Sequence, residues 1–221
     1  MTTLAFISYQ TDDRHIAGTV QGILEEVGIT AFLAHEDIAV SEEWRVRILE
    51  ELVAADIFIC ILSKSYLKSQ WCTQESGIAA FRKKLTIIPL SIDGTVPQAF
   101  LGNIQAAKVD PKNISMKDIL PGFLRRDFAL GISIITNLVK SSASYRGAEG
   151  NFELVLPYLE SLTPDQGQAL LQASIKNNQV YDASRCAGDY IPRVLKIFGK
   201  TLSRKDRDFL EEKCREYGAD L

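Results

Sequence analysis

The run Ser69-Gln-Trp-Cys-Thr-Gln-Glu75 sets an aromatic ring and a carboxylate four residues apart. On a helix, positions i and i+4 share a face, so Trp71 and Glu75 stand one turn apart on the same side. An indole ring stacks on a planar base, while a carboxylate holds a ribose hydroxyl or offsets a developing positive charge. The pair therefore suits a ligand made of a sugar and a base. Each residue also has a plainer use: Trp71 as a core aromatic, Glu75 as a solvated helix carboxylate, and Cys72 between them as a packing thiol. The sequence contains no GxGxxG, no GxxxxGK[ST] and no HExxH. It has no evident nucleophile–histidine pair or metal-ligand cluster either, so a metal is not expected.

The elements that must position this pair alternate along the chain. Leu4–Tyr9 is a short apolar run bounded by Gln10-Thr-Asp-Asp13, as expected of a strand buried on both faces. Ile16, Val20, Ile23, Leu24 and Val27 recur at helical spacing, and Gly28 is a plausible stop before a second strand, Ile29–Leu33. A helix through Trp44, Ile48, Leu52 and Ala55 leads into a strand at Asp56–Leu62. A helix from about Ser69 to Lys84 leads into another at Leu85–Ser91, a weaker strand is expected at Ala106–Val109, and Ile119–Val139 reads as one helical run. Alternating β and α elements with continuous apolar strands imply a parallel sheet covered on both faces. Right-handed crossovers favour a doubly wound, flavodoxin-like five-stranded order, 2-1-3-4-5. Ligands then bind at the carboxyl ends of the strands, near the switch between the first and third. The loops after Tyr9, Leu33 and Leu62 are where function is expected.

Composition narrows the field. With 221 residues, 46% of them hydrophobic, and a net charge of -3, the chain supports a well-buried core and lacks a nucleic-acid binder's basic stripe. No apolar run approaches the ~20 residues that span a bilayer. The N-terminus runs straight into a strand-like segment, and Cys60, Cys72, Cys186 and Cys214 are scattered without a CxxC pair. A cytoplasmic protein that engages neither membrane nor nucleic acid is expected. Residues 141–150, rich in Ser and Gly, read as a linker between an α/β domain at 1–140 and an all-helical accessory region at 151–221. Helical spacing there covers Phe152–Leu162, Thr163–Lys176, Ser184–Phe198 and Ser203–Tyr217.

Four blocks occur in order: Phe6-Ile-Ser-Tyr9; Ala31-Phe-Leu-Ala-His-Glu-Asp-Ile38 followed by Ser41-Glu-Glu-Trp44; Ala55–Ser63; and Ser65-Tyr66 leading to Ser69–Glu75. Together they closely resemble a Toll/interleukin-1 receptor (TIR) domain of the bacterial type, over roughly residues 1–140. The resemblance implies an enzyme that cleaves NAD+ at the nicotinamide–ribose bond, with NAD+ as substrate and no cofactor, and with the catalytic glutamate at Glu75. It places Ser8 and Tyr9 along the cleft and Trp71 near the nicotinamide or ribose. The loop from His35 to Trp44 corresponds to the family's BB loop, which puts His35, Asp37, Ser41 and Trp44 among the candidate contacts, and Cys72 neighbours the site. Trp44 is expected chiefly as a helix-anchoring core residue. The sequence departs from a common TIR pattern in that loop: Ala34-His35 stands where Phe-x-Asp is frequent, and the acidic residues follow at Glu36 and Asp37.

The chemistry of the residues is compatible with that implication. Nicotinamide leaves as a neutral molecule from a cationic pyridinium, so no second carboxyl group is needed to protonate it. One carboxylate suffices to orient the ribose and offset oxocarbenium charge. The expected product is ADP-ribose if water attacks, or a cyclic ADP-ribose-type messenger if an adenine nitrogen or ribose hydroxyl does. The resemblance further implies antiphage defence, self-association through the TIR domain aided by the helical region, and a separate effector that senses the product. The competing expectation is a non-catalytic TIR scaffold or an interference protein acting on a host's signalling through TIR–TIR assembly.

Overall fold

The computed structural model describes residues 3–34 and 44–220. The chain divides into two compact units, Met1–Phe128 and Ala129–Leu221.

In the first unit β1 (Leu4–Ser8) is followed by α1 (Arg14–Glu25) and β2 (Thr30–Leu33). Gly28 ends this first crossover as expected. Its φ of 82° is open to glycine at little cost, and it lets Ile29 N–H reach back to the Leu24 carbonyl at 3.0 Å. Then come α2 (Trp44–Ala54), β3 (Ile57–Leu62), α3 (Lys64–Lys68), α4 (Gln70–Phe81), β4 (Thr86–Ser91), β5 (Ala107–Lys108) and α5 (Met116–Arg126). The sheet is parallel throughout, in the order β2-β1-β3-β4-β5. Every residue of β3 and β4 is buried, which is why both read as unbroken apolar runs rather than alternating ones. The register sets Phe6 opposite both Phe32 and Phe58, giving a ladder of rings with centroids 5.5 and 5.9 Å apart across three strands. The same register brings Ser8, the last residue of β1, beside Cys60 of β3.

The second unit is helical: the body of α6 (Phe128–Lys140), α7 (Tyr145–Glu153), α8 (Pro164–Ile175), α9 (Asn178–Tyr181), a π turn at Cys186–Tyr190, α10 (Ile191–Phe198) and α11 (Arg204–Glu216). Ser203 caps α11 by accepting from Asp206 N–H at 3.2 Å.

Three expectations need correction. The run Ile119–Val139 is two helices, α5 and α6, because Asp127 leaves the helical region at φ -143°, ψ 89°. Residues 141–150 are not a free linker: Ser144 accepts from Gly147 N–H at 3.1 Å and starts α7. The helical unit begins near 129 rather than 151. The last carbonyls of α6 are bound by side chains further along: Asn151 Nδ2 donates to Leu138, and Asn177 Nδ2 donates to Val139 and Lys140. Among the described residues, no helix is long and apolar enough to cross a membrane.

Candidate active site

Ser8 stands at the carboxyl end of β1, where the strand order reverses between β1 and β3, the position at which doubly wound sheets build ligand sites. The loops that leave the strand ends nearby are fastened to one another. Ser63, just past β3, donates to Asp13 Oδ2 at 2.7 Å and accepts from Tyr66 N–H at 3.1 Å, so one hydroxyl caps α3 and ties it to the β1 loop. Asp93, past β4, accepts from Lys64 N–H at 3.0 Å. Burial raises the Asp13 carboxyl above its ordinary range, against the lowering effect of its Ser63 bond.

Glu75 enters from α4, whose N-cap is Ser69. It is 2% exposed, so the plain reading of a solvated helix carboxylate does not hold. Ser8 Oγ donates to Glu75 Oε2 at 2.5 Å, a short bond of the kind charged acceptors make. The second oxygen, Oε1, is buried and has no hydrogen-bond partner among the described residues. Burial pushes the Glu75 carboxyl up to about 7, and the Ser8 bond opposes that rise. A buried carboxyl raised toward neutrality, with one oxygen held and the other without a partner among the described residues, makes Glu75 a candidate for a reacting acid or charge-stabiliser.

Around it lie groups that the sequence pointed to and others that it did not. Cys72 is buried and its thiol donates to the Tyr9 carbonyl at 3.4 Å; burial pushes that thiol up to about 11, so it is a packing group and not a nucleophile. Tyr9 itself is buried, at 1% exposure. Trp71 is partly buried, one turn before Glu75. Trp44 is 37% exposed and so is not the core anchor expected of it. It opens α2 and meets Trp71 edge-on, with ring centroids 4.3 Å apart and the Arg45 guanidinium 5.7 Å from each ring. His35, Asp37 and Ser41 lie outside the described residues. Tyr66 and Ser76 were missed: the Tyr66 hydroxyl, whose residue had a sequence signal in the Ser65-Tyr66 block, lies 2.9 Å from Ser8 Oγ and 2.8 Å from Ser76 Oγ.

Among the described residues, depressions also lie elsewhere on this unit. One of about 650 Å³ is lined by Asp12, Arg14, His15, Gly18 and Thr19 around the first turns of α1. Another, about 870 Å³ at the β4–β5 edge, is lined by Ile88, Pro89, Lys108, Arg125 and Arg126 among others, and Glu75 does not contribute to it. No cluster of His, Cys, Asp or Glu suited to a metal occurs among the described residues.

A parallel α/β domain with order 2-1-3-4-5 and a buried acid at its switch point defines the class. The sequence model of the TIR domain matches residues 5–119, more than half of the chain. The chain therefore belongs to the TIR domain family. Among solved structures it is similar to the TIR domain of the Toll-related receptor TRR-2 from Hydra magnipapillata, at 22% identity and a TM-score of 0.44, with 57% of this chain and 96% of that one covered. No curated protein matches.

Proposed function

We propose that this TIR protein cleaves NAD+ at the nicotinamide–ribose bond, giving nicotinamide and either ADP-ribose or a cyclic ADP-ribose-type product. The single observation that carries the reading is Glu75: buried at the switch point, Oε2 held by Ser8, Oε1 without a partner among the described residues, its carboxyl pushed up to about 7. Departure of neutral nicotinamide leaves positive charge on the anomeric carbon and ring oxygen, and the Glu75 carboxylate offsets it. The incoming nucleophile, water or a hydroxyl or nitrogen of the same dinucleotide, forms the new bond to that carbon and releases one proton to solvent. The half-buried Trp71 ring, backed by Trp44, is the stacking surface for the base or sugar. Antiphage signalling in the cytoplasm, self-association through the TIR domain and a separate effector that senses the product complete the proposal.

Two outcomes are expected with the full chain. It depletes NAD+ and releases nicotinamide, and Glu75→Gln lowers turnover at least a hundredfold, as loss of a principal charge-stabilising group does. Turnover rises as pH passes upward through about 7, because the ionised form is the active one. Unchanged turnover in Glu75→Gln would sink the assignment. The burial of Glu75 favours a second reading, a non-catalytic TIR scaffold or a host-signalling interference protein in which the carboxyl is an internal structural acid. Self-association at high protein concentration with no loss of NAD+ selects that reading.

A further inference from the structure

With Glu75 ionised, the hydroxyls behind it have one consistent arrangement of hydrogens. Ser8 spends its proton on Glu75 Oε2 at 2.5 Å, so the 2.9 Å contact between Ser8 and Tyr66 must be donated by Tyr66. Tyr66 has then spent its proton, and the 2.8 Å contact with Ser76 must be donated by Ser76. From these observations we propose that Ser76, Tyr66 and Ser8 are positioning residues. They form a hydroxyl chain, directed toward Glu75 when it is ionised, that fixes the carboxylate through Oε2 and leaves Oε1 as the oxygen that meets the reacting carbon. The part played at the reacting carbon rests on the NAD+ reading above, whereas the chain itself does not.

Three features give the chain its strength. All of its inner members are sealed: Ser8 is 0%, Tyr66 2% and Glu75 2% exposed, so no bulk water competes for their hydrogens. Each donor in line polarises the next, so the last bond, onto the carboxylate, gains from the two behind it. The chain also has a reversed form. When Glu75 takes a proton on Oε2 it donates to Ser8, Ser8 donates to Tyr66, and the Tyr66 hydroxyl has a second acceptor ready in the Cys72 carbonyl at 3.4 Å. Hydroxyl direction and Glu75 ionisation are thereby locked together.

Among the described residues, the charged and titratable groups on the elements packed against α4 are neutral thiols and phenol or lie toward the surface, as Lys64 and Lys68 of α3 do. Cys72 on α4 and Cys60 on β3, beside Tyr66, are buried thiols pushed up to about 11 and about 12, hence neutral. Burial raises the Tyr66 phenol as well. On α2, Arg45 sits over the tryptophan rings, Arg47 pairs with Glu51, and Glu50 is exposed. The 3-10 turn Ala99–Leu101 that packs on α4 carries no ionisable side chain, and β1 offers Ser8.

The test follows the Glu75 carboxyl band by infrared difference spectroscopy during a pH titration of the full chain without NAD+, the band being assigned by its loss in Glu75→Gln. Removing donors disfavours the anion, so Tyr66→Phe moves the midpoint upward by about half a pH unit to one unit, and Ser76→Ala moves it the same way by less. Ser8→Ala moves it most. Absence of a shift in Tyr66→Phe, or a larger shift in Ser76→Ala than in Tyr66→Phe, overturns the chain. Tyr66→Phe keeps the ring, and if it fails to fold, an upward shift in Ser76→Ala alone supports the chain and none overturns it. Where NAD+ is turned over, the acidic limb of kcat moves by the same amounts. A shifted band with no NAD+ loss in any variant, wild type included, leaves the hydroxyl chain standing and removes the NAD+ reading.

Discussion

Burying Glu75 costs the fold something that pH can reveal. Its carboxyl is held up to about 7 by burial, against an ordinary 4.5, so between those values the folded chain holds a proton that the unfolded chain has released. Stability is then highest below the unfolded value, declines as pH rises from there through about 7, and levels off above. The full decline is about 3 kcal/mol at 1.36 kcal/mol per unit. Glu75→Gln has no such decline, so its melting temperature exceeds the wild type's at pH 8.5 by more than at pH 5, read by calorimetry at both. A constant difference at the two pH values refutes the burial account of Glu75. At this scale the sequence yielded Glu75 and Trp71, because one helical turn relates them. Tyr66 stayed hidden as a partner of Ser8, since 58 residues separate the two and only the fold joins them, and Ser76 stayed hidden behind it as a partner of Tyr66.

β3 and β4 announced themselves because each is a short, wholly buried apolar run, β1 and β2 because they are buried beyond their first residue, and the parallel order follows from their alternation with helices. Short helices did not. α3 has five residues, too few for a period, and its signal is the single Ser63 cap. The Ser/Gly-rich stretch before α7 misled for a related reason: Ser144 is a cap and not a linker residue. The α5–α6 break was equally opaque, because apolar spacing runs on through Asp127. Side-chain caps from distant sequence are the least legible. Asn177 Nδ2 donates to the carbonyls of Val139, Lys140 and Ser142 at 3.3, 3.0 and 2.9 Å, while its side-chain Oδ1 accepts from Gln179 N–H at 2.9 Å. It thus closes α6 and opens α9 with one side chain. Asn177→Ala should cost about 2 kcal/mol, the loss of several partly buried bonds net of rehydration, measured by urea unfolding. A loss below about 0.5 kcal/mol would make those bonds replaceable by water.

Each of the two compact units has a core of its own, and a separate substitution reaches each. At Gly167 on α8, a Cβ would lie 2.2 Å from Cγ of Phe198 on α10, a ring only 6% exposed. Alanine there must push the ring aside. The overpacking costs about 1–3 kcal/mol, against about 1 kcal/mol that alanine returns to a helix interior. In the first unit Phe58, 0% exposed, stacks on Phe6 in the centre of the sheet, and Phe58→Ala should cost about 3–5 kcal/mol. Hydrogen exchange of the full chain reads the two effects separately. Gly167→Ala should speed exchange in α8 and α10 while the amides of β1, β3 and β4 keep their protection, and Phe58→Ala should do the reverse. The logic is that an opening exposes the amides of the core that loosened, and only those. Equal loss of protection across both units in either variant would mean that the 221 residues open as one cooperative body, and that the helical unit and the TIR domain share their stability rather than each holding its own.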